Sequence, residues 1–341
     1  MTEESPGGVP ADAASDDKPT ASGPLVIVLS RRPLATDDPT FEVLAPLGAR
    51  VVGCWTDSPD LAELAREADA FVASGGFSAE LLALAPRCRI IARDGVGYDS
   101  VDVAEATCRD VWVTIIPDAL IDDVADHTML LLMAANRWLA SLDSRTRSGE
   151  WRALQTELFE RPPRKLRGSV LGLVGLGRIG RAVALRARAF RMDVVYSDPR
   201  RLAAAEEKDL QVAWLPLDEL LRTADIVTVH AALNPATRHL LSGEKLRLMK
   251  KQAILVNVAR GPIVDEGALA EALARGDLWG AGLDVYEREP EVHPRLLELD
   301  NVVLLPHIGS ATDETRLRMA MTAARNLVQG LRGERPDNLI P

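Results

Sequence analysis

Short apolar runs alternate with segments of helical periodicity along most of the chain. A first series of apolar runs covers residues 25–29, 51–54, 70–73, 90–92 and 111–116, with helical segments near 40–47, 60–67, 78–85 and 101–108. Such alternation is typical of buried parallel strands that are connected by crossover helices. This part of the chain therefore predicts a parallel α/β sheet.

A longer helical pattern covers residues 124–147 and follows the acidic pair Asp122 and Asp123, which suits a helix N-terminus. A stretch rich in Pro and Arg at 161–167 ends this pattern. The second alternating series predicts strands at 170–174, 194–196, 226–230, 253–257, 280–283 and 302–305, and helices near 178–190, 216–222, 243–249, 265–274 and 311–332. The predicted fold class is α/β, with two doubly wound parallel-sheet domains.

Composition and charge exclude several classes of protein. Apolar residues form 47% of the 341 residues and aromatic residues only 4%, so we expect an aliphatic core between strands and helices. The net charge is −10, whereas nucleic-acid binding needs a basic face, so we expect no nucleic-acid partner. We also expect no membrane partner, because no apolar run is long enough to span a bilayer.

The cysteines and the N-terminal sequence indicate the cellular compartment of the protein. Three cysteines without a Cys-x-x-Cys pair argue against a disulfide framework and against a structural zinc site, so we expect no metal. The N-terminus lacks a signal-peptide pattern, and residues 1–23, rich in Pro, Gly, Ala, Ser and Asp, predict a disordered tail. We therefore expect a cytoplasmic protein.

A glycine-rich turn between a predicted strand and a predicted helix is the strongest local signal. Gly175, Gly177 and Gly180 have the spacing Gly-x-Gly-x-x-Gly directly after the apolar run 170–174. In a dinucleotide site the first glycine permits the tight turn, the second lets the pyrophosphate approach, and the third lets helix and strand pack closely. The alternative is a packing turn in another α/β fold, but the strand before the turn and the helix after it favour a dinucleotide site.

Asp198 suggests which dinucleotide would bind. It lies 18 residues after Gly180, at the end of the next predicted strand, where a carboxylate would bind the adenosine ribose hydroxyls. A carboxylate would repel a 2′-phosphate, whereas the neighbouring Arg200 and Arg201 could bind one. The sequence therefore predicts NAD as cofactor in preference to NADP.

Two of the five histidines, His230 and His307, close apolar strands, and the carboxyl ends of parallel strands border the ligand crevice. His307 is the stronger acid/base candidate because a flexible Ile-Gly-Ser segment follows it. Glu289, beyond the strand predicted at 280–283, is a plausible carboxylate partner. Arg260 follows another buried strand and could bind a carboxylate, although on spacing alone a surface arginine is an equal interpretation.

The other three histidines have ordinary interpretations. His127 lies early in the long helical pattern and is interpreted as a capping or packing residue. His239 and His293 lie in loop-like or helix-flanking segments and are interpreted as surface residues.

These residues belong to a series of longer sequence motifs. The motifs cover residues 90–99, 124–128, 175–180, 230–237, 257–266, 282–290 and 305–312. With them the chain, over about residues 25–335, resembles the D-isomer-specific 2-hydroxyacid dehydrogenases, a group that includes D-lactate, hydroxypyruvate/glyoxylate and D-3-phosphoglycerate reductases.

The resemblance implies a reaction and a set of site residues. A D-2-hydroxy acid and its 2-keto acid would be interconverted by hydride transfer. The catalytic triad would be Arg260, Glu289 and His307, with Arg260 on the substrate carboxylate and carbonyl and His307 as the acid/base. The resemblance also implies substrate binding by the backbone N–H groups of Val96 and Gly97, and cofactor binding by Arg178, Ile179, His230, Val258 and Asp284, the last at the nicotinamide carboxamide.

The implied architecture is discontinuous. A flavodoxin-like substrate domain would comprise residues 24–123 plus 309–335, and a Rossmann cofactor domain residues 124–308. The segment near 149–154 resembles a dimerisation arm, so we expect a homodimer.

One departure and two alternative functions accompany the resemblance. Asp94 stands where relatives commonly carry an uncharged or aromatic residue, and it would disfavour an anionic substrate tail. The alternatives are a non-catalytic NAD-binding regulator of the corepressor type and a tailoring reductase for an unusual 2-keto acid.

Overall fold

The strands form two all-parallel sheets in the computed structural model, which describes residues 23–30, 34 and 38–340. The first sheet contains β1 (Leu25–Ser30), β2 (Arg50–Trp55), β3 (Ala70–Ala73), β4 (Ile90–Arg93) and β5 (Trp112–Thr114), in the order β2-β1-β3-β4-β5. Its first helices are α1 (Pro39–Leu44), α2 (Leu61–Glu67), α3 (Ala79–Ala83) and α4 (Val103–Cys108). This strand order is the flavodoxin-like one. The tail predicted at residues 1–23 lies, apart from its last residue, outside the described residues.

Three helices connect this sheet to the second one. They are α5 (Ile121–Asn136), α6 (Leu139–Arg147) and α7 (Trp151–Glu160). The single helix predicted over 124–147 is therefore wrong, because the helical conformation ends at Asn136 and resumes at Leu139. Helix α7 extends well beyond the arm predicted at 149–154.

The break between α5 and α6 is caused by a tertiary contact. Trp138 adopts a left-handed backbone conformation with φ +48°. Its ring stacks on that of Trp279, with centroids 4.3 Å apart, and the Arg161 guanidinium lies 4.8 Å from each ring. The Trp138 Nε1–H also donates to the Trp279 carbonyl, at 3.2 Å. The free energy gained by burying this aromatic pair thus outweighs the free-energy cost of interrupting the helix.

The second sheet contains the nucleotide-binding sequence. Its strands are β6 (Val170–Val174), β7 (Asp193–Ser197), β8 (Val212–Trp214), β9 (Ile226–Val229), β10 (Ile254–Asn257), β11 (Gly280–Leu283) and β12 (Val302–Leu304), in the order β12-β11-β10-β9-β6-β7-β8. Its helices are α8 (Arg178–Ala189), α9 (Ala204–Leu210), α10 (Leu217–Thr223), α11 (Gly243–Leu246), α12 (Glu266–Ala274) and α13 (Pro294–Leu297), and the last helix is α14 (Asp313–Leu331). The order is that of a Rossmann sheet with one added strand.

Each sheet is buried on both faces. Helices α5 and α8 cover one face of the second sheet, and α10 to α12 cover the other. The first sheet packs against α2 to α4 on one face and against α1 and α14 on the other. The prediction of two doubly wound parallel sheets is therefore confirmed, and only β8, α9 and α13 had no predicted counterpart in the second series.

Polar capping residues explain where several helices begin. The side chains of Ser78, Asp102, Asp265 and Thr312 accept hydrogen bonds from the first-turn N–H groups of α3, α4, α12 and α14. Within residues 23–30, 34 and 38–340, no helix has both the length and the apolar character that a membrane crossing requires.

Candidate active site

The glycine turn after β6 has the geometry of a phosphate-binding turn. Gly175 has φ +95°, and a Cβ there would lie 2.8 Å from the Ala231 nitrogen. A Cβ on Gly180 would lie 2.6 Å from the carbonyl oxygen of Gly175, whereas a Cβ on Gly177 would have no neighbour within 4 Å. The first and third glycines are therefore required by packing, and the open space at the second, beside the N-terminus of α8, fits a pyrophosphate.

Asp198 lies beside this turn, directly after β7. Its Oδ2 accepts a hydrogen bond from the Leu176 N–H at 2.9 Å, and its Oδ1 accepts one from the Arg200 N–H at 2.8 Å. The Arg201 guanidinium donates to Glu207 and lies 5.4 Å from the Trp214 ring, so it is held away from the turn. The carboxylate is thus held by two backbone N–H groups beside the glycine turn.

Ile179 and Val258 lie where the two sheets face each other. Both side chains are partly buried and pack against the cores of both sheets. Arg178, at the start of α8, forms an exposed ion pair with Asp118, with Nε and Oδ1 3.2 Å apart. These three predicted cofactor residues therefore border the cleft between the sheets.

His230 follows β9, next to β6 in the second sheet. Its Nε2 lies 3.0 Å from the Thr228 Oγ1, and burial lowers the pKa of the imidazole to about 3. The ring is therefore neutral at physiological pH and suits packing against a cofactor rather than proton transfer.

His307 and Glu289 form the hydrogen-bonded pair that the sequence predicted. The His307 Nδ1 lies 2.8 Å from the Glu289 Oε2, and Tyr286 N–H donates to Oε1 at 3.2 Å. Burial opposes ionisation of Glu289, but the hydrogen bond and charge of His307, together with the Tyr286 N–H and the Arg260 charge, lower its pKa below the ordinary value. Because Nδ1 faces the carboxylate, Nε2 is the ring nitrogen available to a ligand.

His307 is also conformationally unusual, since its φ is +54°. A non-glycine residue in the left-handed region is strained unless its surroundings impose the conformation, and such residues cluster at functional sites. The imidazole is nonetheless half exposed, which leaves one edge accessible from the cleft.

Arg260 brings the two sheets together at the predicted substrate loop. Its Nε donates to the Asp99 Oδ1 at 2.9 Å, and its Nη1 donates to the Ala259 carbonyl at 2.8 Å. A Cβ on Gly97 would lie only 1.6 Å from the Arg260 Nη2, so the guanidinium rests against the backbone of the loop that contains Val96 and Gly97. The Arg260 guanidinium therefore lies against the Gly97 backbone, and its charge also acts on Glu289 of the His307–Glu289 pair.

Two residues that shape this region were missed by sequence reasoning. Arg93 is buried at the end of β4, and its guanidinium donates to the carbonyls of Gly97, Gly75 and Ala73. Burial, and then the nearby Arg260 charge, lower the pKa of Arg93. Asn257 donates to the Arg260 carbonyl at 2.9 Å and so fixes the turn after β10. A polar residue at the end of an apolar strand was the available signal for both.

Asp284 connects three segments behind this site. It directly follows β11 and is 1% exposed. Its Oδ1 and Oδ2 accept hydrogen bonds from the N–H groups of Ile308 and Gly309, each at 2.9 Å. His127 of α5 is buried beside it, with its Nε2 3.2 Å from Oδ1. His127 is thus a packing residue as predicted, but it packs against a predicted cofactor-binding carboxylate.

The two histidines that were interpreted as surface residues have local structural contacts. His239 is exposed and pairs with Glu287, with Nε2 and Oε1 2.7 Å apart. His293 caps α13 by accepting a hydrogen bond from the Arg295 N–H. Neither contact involves a predicted site residue.

Asp94 lines a cavity of about 220 Å³ at the carboxyl edge of the first sheet. Its Oδ2 accepts a hydrogen bond from the Ser74 hydroxyl at 3.0 Å. The same cavity is lined by the polar residues Ser30, Thr40 and Arg316, and also by apolar residues that include Val28, Val72 and Met319. In the chain, Asp94 lies two residues before Val96 of the predicted substrate loop.

Comparisons with known proteins agree with this arrangement. The family model described as "D-isomer specific 2-hydroxyacid dehydrogenase, NAD binding domain" matches residues 129–309. A glyoxylate reductase of Pyrococcus furiosus is 45% identical over 286 residues, covering 82% of this chain and 84% of that protein. A glyoxylate reductase of Thermococcus kodakarensis is 46% identical over 279 residues, covering 81% and 84%.

Solved structures show the same likeness over nearly the whole chain. A protein from Thermus thermophilus superposes with a TM-score of 0.82 at 39% identity, covering 93% of this chain and 100% of that one. An NADPH-dependent glyoxylate/hydroxypyruvate reductase from Sinorhizobium meliloti superposes with a TM-score of 0.80 at 31% identity, covering 94% and 97%. The chain therefore belongs to the D-isomer specific 2-hydroxyacid dehydrogenase family and is an NAD(P)-dependent oxidoreductase that acts on CH–OH donors.

Proposed function

We propose that this protein interconverts a small D-2-hydroxy acid and its 2-keto acid, with glyoxylate as the first candidate acceptor. The observation that carries the proposal is the Glu289–His307 pair, 2.8 Å apart, next to an arginine packed on the Gly97 backbone. The relatives named as glyoxylate reductases support a small 2-keto acid as substrate.

Each polar group near this pair has one role in the proposal. Arg260 binds the substrate carboxylate and polarises the neighbouring carbonyl, and the N–H groups of Val96 and Gly97 bind the other side of the carboxylate. His307 gives a proton to the carbonyl oxygen during reduction and removes it during oxidation. Glu289, ionised because its pKa is lowered, stabilises the protonated imidazole. The bound nicotinamide cofactor supplies or accepts the hydride at C2.

NAD is the cofactor that the residues favour. Gly175, Gly177 and Gly180 with Arg178 and Ile179 would hold the pyrophosphate, and Asp198 the ribose hydroxyls. Cofactor-lining roles for His230 and Val258, and a carboxamide contact for Asp284, complete the proposed site. A 2′-phosphate would meet the Asp198 carboxylate, which repels it, and Arg201 is already paired with Glu207. Arg200 is the residue through which NADP could compete.

We further assign a substrate domain to residues 24–123 plus 309–335 and a cofactor domain to residues 124–308. The packing of α14 on the first sheet supports the discontinuous boundary. A homodimer is proposed through the α6–α7 arm, because Trp151 is 61% exposed and Phe159 is 89% exposed there.

The decisive experiment measures reduction of glyoxylate, hydroxypyruvate and pyruvate with NADH and with NADPH. We expect turnover with NADH, and a fall in kcat of about 10²- to 10⁴-fold in His307→Asn. The matched control is His293→Asn, which changes a histidine outside the site and should keep full activity.

Four outcomes would contradict parts of the proposal. Tight NADH binding without turnover of any acceptor would favour a corepressor-type regulator. Turnover confined to bulkier acceptors would favour a tailoring reductase. Undiminished turnover in His307→Asn would reject His307 as the acid/base, and a preference for NADPH would reject the role of Asp198.

A further inference from the structure

The imidazole of His127 is a buried polar group that the proposed mechanism does not use. The side chain is 10% exposed, and within the described part of the chain its Nε2 has no hydrogen-bond partner. The nearest acceptor is the Asp284 Oδ1 at 3.2 Å, which is ion-pair distance without the alignment of a hydrogen bond. A buried nitrogen next to a buried carboxylate requires a physical explanation, because each is costly alone.

We propose that His127 is a positioning residue that holds the Asp284 carboxylate, and through it both the nicotinamide carboxamide and the segment that carries His307. The proposal rests on the proposed function in one respect, the contact of Asp284 with the carboxamide. The position of His127 itself is independent of that contact.

The lone pairs of Asp284 can be counted. An ionised carboxylate has about four acceptor sites, two on each oxygen. Ile308 N–H occupies one site on Oδ1, and Gly309 N–H occupies one on Oδ2. The His127 Nε2 lies 3.2 Å from Oδ1 and so occupies the space beside this oxygen. One site on Oδ2 is then left, and a carboxamide NH₂ group supplies the donor that it needs.

The close packing around Gly309 connects Asp284 to the backbone next to His307. A Cβ on Gly309 would lie 3.1 Å from the Asp284 Oδ2 and 3.5 Å from the His127 Cδ2. The backbone at 308–309 therefore fits tightly between the two side chains, one residue beyond His307. If the carboxylate rotates, the two N–H groups lose their acceptor and His307 loses its anchor.

The test compares two replacements of His127 with one control. His127→Gln keeps an N–H donor near the position of Nε2, whereas His127→Leu has a similar size and no donor. Met129→Leu is the control, because Met129 is buried in the same helix but packs in the core between α5 and the second sheet. Where His127→Leu does not fold, His127→Asn replaces it, since the shorter amide does not reach Asp284.

Two measurements are made on each purified full-length variant. The first is the dissociation constant for NADH and for its reduced 3-acetylpyridine analogue, in which a methyl group replaces the carboxamide NH₂. The second is deuterium exchange of the amides at 308 and 309 in cofactor-free protein.

We expect His127→Leu to bind NADH about tenfold more weakly, because the buried Asp284 carboxylate loses its polar neighbour at 3.2 Å and is no longer held in place for the carboxamide. Binding of the analogue should change little. Exchange at 308 and 309 should accelerate severalfold. His127→Gln should restore both quantities, and Met129→Leu should leave both unchanged.

An equal loss of affinity for both dinucleotides would overturn the link to the carboxamide, because a general packing defect has no preference between them. Unchanged exchange at 308–309 would overturn the link to Asp284. Wild-type protein that fails to bind NADH, or binds it without reducing a 2-keto acid, would reject the proposed function instead, while the exchange data still decide the role of His127.

Discussion

At the scale of single residues, the site depends on polar groups that are held by backbone partners. Glu289 is bound by the Tyr286 N–H, Asp198 by those of Leu176 and Arg200, and Asp284 by those of Ile308 and Gly309. A carboxylate fixed by amides needs little reorganisation when a ligand arrives, and this is the physical basis of electrostatic preorganisation.

His230 should make the folded state sensitive to acid. Its folded pKa of about 3 lies below the ordinary value of 6.5, so the unfolded chain takes up a proton that the folded chain does not. The associated stability is complete above pH 6.5 and is lost as the pH falls toward 3. Lowering the pH from 8 to 5 should reduce the unfolding free energy of wild type by up to about 2 kcal/mol more than that of His230→Gln. Urea denaturation at both pH values measures this difference. Equal losses in the two proteins would contradict the burial of the neutral ring.

Asp94 should act on substrate choice. Its carboxylate lines a cavity, lies two residues before Val96 in the chain, and would repel a second carboxylate on a keto acid. Asp94→Ala should therefore raise kcat/KM for oxaloacetate relative to glyoxylate by about tenfold, since one screened charge pair amounts to about 1 kcal/mol or slightly more. Asp57→Ala, which removes an exposed acid that does not line the cavity, is the control. An unchanged ratio would place the substrate tail elsewhere.

At the scale of elements, local sequence predicted the βαβ unit to within a residue. Strand β6 and the start of α8 match the predictions because the apolar run, the three glycines and the helix that follows all act within a few residues of one another. Trp138 shows where local reasoning fails. Its left-handed conformation depends on Trp279, which is 141 residues away, and no local pattern contains that contact.

The same limit applies to the candidate site. His307, Glu289 and Arg260 could be proposed because each lies at or just beyond the end of an apolar run. The pairing of Arg260 with Asp99 could not, because the partners come from different sheets and are 161 residues apart. Strand β8 was missed because it has only three residues and one of them is exposed.

Substitutions of two glycines in the turn after β6 should affect different properties, the stability in one case and the cofactor affinity in the other. In Gly180→Ala the new Cβ would collide with the Gly175 carbonyl, and backbone cannot yield as a side chain can, so we expect a lower melting temperature, by several degrees. In Gly177→Ala the Cβ enters open space, so the melting temperature should hold while NADH affinity falls about tenfold or more. Calorimetry and NADH titration measure the two effects, and similar melting losses in both variants would contradict the assignment.

At the scale of the whole molecule, polar contacts join the two sheets across the cleft. Arg260 binds Asp99, and Arg178 pairs with Asp118. Where the chain crosses between the sheets, at the starts of α5 and α14, the Thr312 hydroxyl donates to Asp123. Such contacts suit an arrangement that closes over substrate and excludes water.

The exposed face of α7 should determine the oligomeric state. Phe159 is 89% exposed, and large exposed aromatic side chains are typical of interfaces. Sedimentation of wild type should give twice the mass of one chain, whereas Phe159→Glu should shift the population toward monomer. Glu160→Gln, an exposed position on the same helix, is a control for a change of charge. A monomeric wild type would reject the proposed dimer.

The stacked pair of Trp138 and Trp279 also gives the protein an intrinsic optical reporter. Two indoles with centroids 4.3 Å apart and planes 17° apart couple their electronic transitions, which produces a paired positive and negative band in circular dichroism. The band depends on the α5–α6 junction and on β11 being assembled together. Its loss during heating would therefore mark the separation of these elements, without any attached dye.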